Sequence, residues 1–196
     1  MENIVNGTND NFGSIRDILF LPFSDVDFIP EPNIYGSVDA AGITLSSGVT
    51  AWNYFRFSKE TSEFEQPQQS KDGLIFYKQK LDCLVAKDCF LNWMTFCESE
   101  YRQFLVLMRD YNGYCKMMGE INKDGEKVGP VLAMTGSTGK KWASLNHHTA
   151  SFYFEYRLPA RFIYNFHELI IKADATEPTG MVSTDLSDID DPPPTG

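Results

Sequence analysis

Two groups of residues carry the side chains that could do chemistry in this sequence, and the first is a glycine-rich loop. Residues 136–140, GSTGK, resemble a phosphate-binding loop, in which backbone N–H groups and a lysine hold a nucleoside triphosphate. That pattern needs another glycine where Met134 stands and a serine or threonine where Lys141 stands. A surface loop is therefore the favoured interpretation.

The second group contains the histidines and one cysteine. His147 and His148 are adjacent, so on a strand they would point to opposite faces, and no acidic residue or cysteine lies close enough in sequence to complete a metal site. Cys89 with one of them would give a nucleophile and a base, but the sequence supplies no third, orienting group. We therefore expect a protein that is not an enzyme and that uses neither metal ion nor cofactor.

Length, composition and charge set the class of protein. A chain of 196 residues suits one well-buried core with extensions. Aromatic residues make up 14%, and most fall between Trp52 and Phe166 in segments that favour β structure. The net charge of −10 argues against binding duplex DNA or an anionic membrane. It suits a surface along which nucleic acid slides without sticking.

The cysteines and apolar runs bear on the compartment. Cys83, Cys89, Cys97 and Cys115 lack the paired spacing of a zinc site, and no signal-peptide pattern opens the chain. We expect reduced thiols in a soluble protein made in a cytoplasm, because no apolar run approaches the length needed to cross a bilayer.

The stretch that organises the chain is residues 101–120, YRQFLVLMRDYNGYCKMMGE, which predicts a β-hairpin. Asn112-Gly113 favours a type I′ turn, because both central residues of that turn need positive φ. The first strand, FLVLM, is apolar on both faces. It should lie centrally in a sheet, covered by a helix or a second sheet.

Other segments are predicted around this hairpin. Further strands are expected at residues 15–21, 43–45, 51–58, 73–86, 130–135 and 151–158, and one amphipathic helix at residues 88–100. Residues 22–32 should form an extended loop over a core edge, and residues 123–125 a turn. Polar residues 59–72 predict an exposed loop or a protruding hairpin.

Alternation assigns faces to the two longest strands. In the first, Lys78, Lys80 and Asp82 lie opposite the apolar face formed by Ile75, Tyr77, Leu81, Cys83 and Val85. At about 3.3 Å per residue it reaches roughly 45 Å, so part of it should project beyond the sandwich. In the last strand, Phe152, Phe154, Tyr156 and Leu158 share one face.

The ends of the chain differ from its middle. We expect a flexible arm over residues 1–14, a β domain over 15–165 and an acidic extension over 166–196. From Ala173 onward the chain has six acidic residues, no basic ones and four prolines, which predicts disorder in the free tail. Leu186 and Ile189 are candidates for docking on a neighbouring subunit.

The order of these motifs resembles the tail-tube and neck-ring proteins of tailed phages, closest to those of phages and prophages of gut Bacteroidetes. The resemblance covers about residues 15–164 and is carried by the segments GITLSSGVTAWNYFRFS, GLIFYKQKLDCLVAK, FLVLMRDYNGYCKMMGE, TGSTGKKW and FYFEYRL. Two departures are residues 146–150, where the family often has Asn-Gly-Tyr-Thr-Leu, and the added acidic tail.

The resemblance implies a mainly β fold, an antiparallel β-sandwich or barrel flanked by one α-helix, that assembles with itself into a ring or tube of the virion neck or tail. It implies a channel for DNA ejection lined by strands carrying Lys78, Lys80, Asp82 and Gln103. Contacts between rings or subunits would come from Phe64, Glu65, Pro67, Leu186 and Ile189. The partners would be further copies, adjacent neck or tail rings, portal or tail proteins, and viral DNA in transient, non-specific passage. No membrane partner is implied, and assembly would take place in the host cytoplasm.

A second interpretation, from another class, is a soluble β-sandwich that binds a ligand such as a carbohydrate. It would use an exposed aromatic platform near Trp52 or Trp142. The mass in solution separates the two interpretations, because a binding module stays monomeric whereas a ring protein does not.

Overall fold

The chain folds mainly into β-strands, in a computed structural model that describes residues 14–50, 52–57, 61–86, 102–137 and 147–169. The strands are β1 Ile15–Pro22, β2 Val26–Phe28, β3 Val38–Asp39, β4 Thr44–Leu45, β5 Asn53–Arg56, β6 Ser62–Glu65, β7 Gln68–Lys71, β8 Leu74–Ala86, β9 Phe104–Asp110, β10 Cys115–Met118, β11 Glu120–Ile121, β12 Lys127–Val128, β13 Val131–Ser137, β14 His147–Tyr156 and β15 Arg161–Tyr164. Two 3-10 turns, Phe23–Asp25 and Ala40–Gly42, lie between strands, and an α-helical turn at 166–169 follows β15. The predicted mainly β class is confirmed.

Two sheets face each other in a sandwich. The larger has the strand order β3-β15-β10-β9-β1-β5, and the smaller has the order β13-β14-β8-β6, with β7 also paired to β8. Neighbouring strands are antiparallel apart from the β15 and β3 pair. Two two-stranded sheets, β2 with β4 and β11 with β12, complete the described strands.

Strand β9 lies in the middle of the larger sheet, and both of its faces are buried, as the sequence predicts. Phe104, Val106 and Met108 belong to the core between the two sheets. Leu105 and Leu107 belong to a second core on the opposite face of the same sheet. Successive side chains of a strand point to opposite faces, so a strand that is apolar throughout needs a cover on each side.

The second core is covered by short elements rather than by a third sheet. Its covering residues come from the turn Phe23–Asp25, the two-stranded sheet of β2 and β4, and the helical turn at 166–169. Phe23, Val26, Phe166 and Leu169 are all buried there. The segment predicted as an extended loop over a core edge therefore contains a 3-10 turn and a strand.

The two sheets are joined at a corner near the start of β9. Gln103 forms an isolated antiparallel bridge with Val131 on β13, and the Phe104 N–H donates to the carbonyl of Pro130 at 2.9 Å. The chain is packed closely here, because a Cβ on Gly129 would stand 2.2 Å from the carbonyl oxygen of Phe104. Only glycine fits at this position.

One five-residue loop recurs three times, beginning at Asn33, Asp110 and Asn122. In each, the first residue exchanges backbone hydrogen bonds with the fourth and fifth, and its side-chain oxygen accepts from the N–H groups of the third and fifth at 2.8–3.0 Å. The fourth residue is a glycine with φ between +77° and +88°. This is a type I turn followed by a left-handed glycine.

The hairpin of β9 and β10 uses this loop, so the type I′ turn predicted at Asn112-Gly113 is wrong. Gly113 has φ of +88°, but Asn112 is absent from the described residues with positive φ. The carboxylate of Asp110 stabilises the longer loop by accepting two N–H groups. A two-residue turn with positive φ at both positions occurs instead at Asp72-Gly73, between β7 and β8.

The strands predicted at residues 15–21, 73–86, 130–135 and 151–158 correspond to β1, β8, β13 and β14, whereas β2, β3 and β15 were not predicted. Strand β8 spans 13 residues, with Leu81 and Cys83 buried on one face and Lys78 exposed on the other. The polar segment 59–72 forms β6 and the protruding hairpin strand β7, both paired to β8. The predicted turn at residues 123–125 joins β11 and β12.

Several predictions fall outside the described residues. These are the helix at 88–100, the loop at 138–146, the arm at 1–13 and the acidic tail from residue 170 onward. They stay predictions.

Candidate interaction surfaces

A two-stranded arm projects from the smaller sheet. The pairing of β14 with β8 ends at Tyr156 opposite Tyr77, so residues 74–76 of β8 have only β7 as a neighbour among the described strands. We name residues 68–76 the arm, and from here on the word refers to this hairpin and not to the N-terminal residues. Leu74 is 73% exposed and Ile75 is 54% exposed. The predicted projection of this strand beyond the sandwich is therefore confirmed.

The base of the arm is fixed to the body of the protein. The side chain of Gln79 donates to the carbonyl of Leu158 at 3.0 Å, and that of Gln66 accepts from the N–H of Ala160 at 3.1 Å. Pro67 accepts from the N–H of Lys78 at 3.1 Å. Of the predicted contact residues, Pro67 thus lies at this base, Glu65 is exposed on β6, and Leu186 and Ile189 lie outside the described residues.

An aromatic patch lies on the larger sheet, and it consists of Tyr114, Phe162 and Tyr164. Phe162 and Tyr164 alternate with buried Ile163 on β15, and Phe162 lies opposite Lys116 on the neighbouring strand β10. The three aromatic residues are 64%, 51% and 43% exposed. Contiguous exposed aromatic residues on a sheet are typical of an interaction site.

Lys116 borders this patch between two aromatic rings. Its ammonium lies 5.3 Å from the ring centroid of Phe64 and 5.3 Å from that of Phe162. Burial lowers the pKa of Lys116, while Asp110 acts in the opposite direction. Phe64, predicted as a contact residue, is half-buried and packs against the core between the sheets.

The outer face of the smaller sheet brings together the charged residues predicted to line a channel. The outer face is defined by residues at adjacent cross-strand positions on β6, β8 and β14, namely Glu63, Glu65, Lys78, Lys80, Asp82, Ser151, Tyr153 and Glu155. Four carboxylates and two lysines leave an excess of two negative charges on this face. Gln103 lies in the same cross-strand row as Lys80, with Tyr153 and Val131 between them.

Short-range contacts hold the charges of the outer face in place. Lys80 Nζ lies 2.5 Å from Asp82 Oδ2, and Lys78 Nζ lies 3.3 Å from Glu155 Oε1. The hydroxyl of Ser151 donates to Asp82 at 2.6 Å. The hydrogen bond to Asp82 raises the pKa of Lys80 against the opposing effect of desolvation. The two ion pairs are partly exposed to solvent, so each adds little stability.

A buried ionic network, which the sequence analysis does not predict, joins three strands of the larger sheet. Asp17 on β1 has no exposed surface. Its carboxylate accepts from Tyr54 Oη at 2.8 Å and Arg56 Nε at 3.1 Å on β5, and from Arg109 Nε at 2.8 Å on β9. An aspartate inside the apolar run IRDILFL is the signal that could have indicated it.

A small cleft of about 150 Å³ lies beside β11, between residues 29–32 and 157–161. Arg161 Nη2 pairs with Glu120 Oε2 at 3.0 Å, and the hydroxyl of Tyr156 donates to the other oxygen of Glu120. Burial and this hydrogen bond raise the pKa of Tyr156. The cleft is smaller than the cavities that usually bind cofactors, because those begin near 300 Å³.

The residues considered for chemistry lie largely outside the described part of the chain, which includes neither Cys89 nor residues 138–141. The backbone of His147 and His148 lies at the start of β14, and residues 136 and 137 end β13. Among the described residues no group of three or more His, Cys, Asp or Glu side chains is placed to hold a metal ion. Burial raises the pKa of the thiol of Cys83 far above its ordinary value.

Trp52 does not provide the aromatic platform expected for a carbohydrate-binding module. Its side chain is buried in the second core with Leu19, Leu105 and Met117. An indole inside a core cannot stack on a sugar, so this part of the second interpretation is wrong. Trp142 lies outside the described residues.

Comparisons with known proteins identify no relative: no family model, no curated protein and no solved structure matches this chain. Within the described ranges, no helix is both long and apolar enough to span a membrane.

Proposed function

We propose that this chain is a structural subunit of a phage virion, which assembles with copies of itself into a ring or tube of the neck or tail. The observation that carries the proposal is the projecting arm. An isolated two-stranded hairpin is only marginally stable in water. The arm exposes Leu74 and Ile75, so a partner that covers these side chains would stabilise it.

Open sheet edges also support self-assembly. In the described part of the chain, β13 has a full strand partner, β14, on one side and a single bridge on the other. Unpaired edges are templates for another strand, and pairing between copies would satisfy them. A heterologous contact repeated from copy to copy closes into a ring or continues as a tube.

The charge of the outer face suits the wall of a DNA channel. Its excess of two negative charges repels phosphate, and a net charge of −10 makes the whole subunit a poor binder of duplex DNA. On this proposal the strands carrying Lys78, Lys80 and Asp82, with Gln103 at the end of one row, face the passing nucleic acid.

Mass and shape in solution test the proposal. We expect mass photometry and negative-stain microscopy to show rings or tubes of many copies. Assembly should increase with salt, because the Debye length falls from about 10 Å at 0.1 M to about 3 Å at 1 M and repulsion between acidic subunits is screened. A protein that stays strictly monomeric at high concentration would overturn it, and glycan binding by that monomer would favour the ligand-binding module.

A further inference from the structure

We infer that the arm of one copy docks on the aromatic patch of the next copy. This inference rests on the proposed function and names the two surfaces that would make its subunit contact. The arm is residues 68–76, and the patch is Tyr114, Phe162 and Tyr164 beside Lys116.

Both surfaces are apolar and lie uncovered on the same chain. Leu74 and Ile75 at the tip of the arm are 73% and 54% exposed, and the aromatic residues are between 43% and 64% exposed. These exposures show that the arm and the patch do not cover each other within one protomer. The arm is fixed at its base through Gln66 and Gln79, and the patch lies on β15 and at the end of the loop that joins β9 to β10.

Charge favours a second copy as the occupant. Two molecules that each carry −10 repel each other least where they meet through surfaces with little negative charge. The arm carries one lysine and one aspartate, Lys71 and Asp72, and is neutral overall. The patch is bordered by the cation of Lys116 and by the carboxylates of Asp39 and Asp110, both of which accept hydrogen bonds from neighbouring groups. Contact between these two surfaces therefore brings at most one unpaired negative charge of one copy against the neutral arm of another.

The contact is heterologous, because different surfaces of the two molecules meet. A growing oligomer keeps one free arm and one free patch, so addition continues until a ring closes. A subunit that lacks a functional arm still has a patch, and a subunit that lacks a patch still has an arm. This asymmetry provides a test that a symmetric contact would fail.

The test uses two full-length double variants. The arm variant is Leu74→Asp with Ile75→Asp, and the patch variant is Phe162→Asp with Tyr164→Asp. Each variant alone should be monomeric, with self-association weakened on the order of a hundredfold or more, because charges would be buried in the contact. An equimolar mixture should give a heterodimer of twice the protomer mass and nothing larger.

A matched control changes two other exposed apolar residues by the same charge. Ile34 and Tyr35 are almost fully exposed at the tip of a different loop, and Ile34→Asp with Tyr35→Asp should assemble like the wild type. Circular dichroism and thermal melting establish that each variant is folded, and serine versions of the four substitutions replace any that are not.

The outcomes separate the two proposals. If the wild type assembles and both aspartate variants assemble equally well, or if their mixture stays monomeric, the contact between arm and patch is wrong while self-assembly stands. If the wild type itself is monomeric at every concentration, the proposed function fails, and the contact fails with it.

Discussion

Asp17 and Arg109 lie directly opposite each other on β1 and β9, and Arg109 Nε donates to Asp17 Oδ2 at 2.8 Å while Nη2 donates to the same oxygen. The guanidinium also lies 5.7 Å from the ring centroid of Phe166. A β-bulge between Ile15 and Asp17 sets this register. The ion pair therefore connects the middle of the larger sheet to the helical turn that covers it.

Removing the carboxylate of Asp17 should destabilise the fold strongly. We expect Asp17→Ala to lower the free energy of unfolding by about 3–5 kcal/mol, because it leaves two arginines without their buried counter-charge. Urea titration measures this change. The control, Asp27→Ala at an exposed position on β2, should change the free energy by less than about 0.5 kcal/mol. Equal effects of the two substitutions would contradict a structural role for the network.

Two glycines should respond differently to a methyl group. In Gly129→Ala the new Cβ would meet the carbonyl oxygen of Phe104 at 2.2 Å, so we expect a loss of at least about 3 kcal/mol, at the upper end for overpacking. In Gly125→Ala the Cβ would enter open space at φ of +81°, which costs about 1–2 kcal/mol. Thermal unfolding of both variants checks the order, and a more stable Gly129→Ala protein would refute it.

Cys115 should react slowly with alkylating agents in the folded protein. Burial raises the pKa of its thiol from 9.0 to about 11, an effect that Arg109 partly opposes. Because the thiolate is the nucleophile, its fraction near pH 8 falls about a hundredfold, and the rate should rise about tenfold per pH unit until the pH approaches 11.

Peptide-resolved mass spectrometry after iodoacetamide treatment measures the rate at Cys115 alone. The urea-unfolded chain is the reference, since its thiol titrates near the ordinary value. Equal rates for the folded and unfolded chains at pH 8 would show that burial does not control this thiol.

The pH dependence of stability should reveal the environment of Lys116. Burial lowers its pKa below the ordinary 10.5, so between the folded and unfolded pKa values the unfolded chain binds more protons. The stability of the wild type relative to Lys116→Met should therefore increase as the pH rises through this window. Denaturant titrations of both proteins at several alkaline pH values give the difference, and Cys115 contributes equally to each. A difference that falls with rising pH would contradict the assignment.

The centre of the fold could be predicted from sequence, because burial on two sides leaves a continuous apolar run. Strand β9 shows this in five consecutive residues, and the alternation along β8 predicted the face of Leu81 and the opposite face of Lys80. Both signals are local, so they need no knowledge of which strands are neighbours.

The parts that could not be predicted depend on distant partners. Strand β6 carries the polar sequence SEFE and is held by backbone pairing to β8, which leaves little periodic signal. The partners of Asp17 stand 37 to 92 residues away along the chain. The arm was predicted as a projection, but the aromatic patch was not, since Phe162 and Tyr164 become a surface only where the smaller sheet ends.

The turn of the central hairpin shows how one side chain overrides a common local preference. Asn112-Gly113 favours a two-residue turn, yet the carboxylate of Asp110 accepts the N–H groups of Asn112 and Tyr114 and selects the longer loop. At Asp72-Gly73 the preceding residue is Lys71, whose ammonium cannot accept hydrogen bonds, and there the two-residue turn forms.

The three loops that begin at Asn33, Asp110 and Asn122 share one backbone but carry unrelated central pairs, Ile-Tyr, Tyr-Asn and Lys-Asp. Their geometry is determined by the first residue and the glycine. In the loops at Asn33 and Asn122 the two positions between them are exposed and can diversify during evolution without loss of the scaffold, whereas Tyr111 in the third loop donates a hydrogen bond to the carbonyl of Phe57. The first two loops are therefore suitable sites at which an engineer could insert foreign peptides.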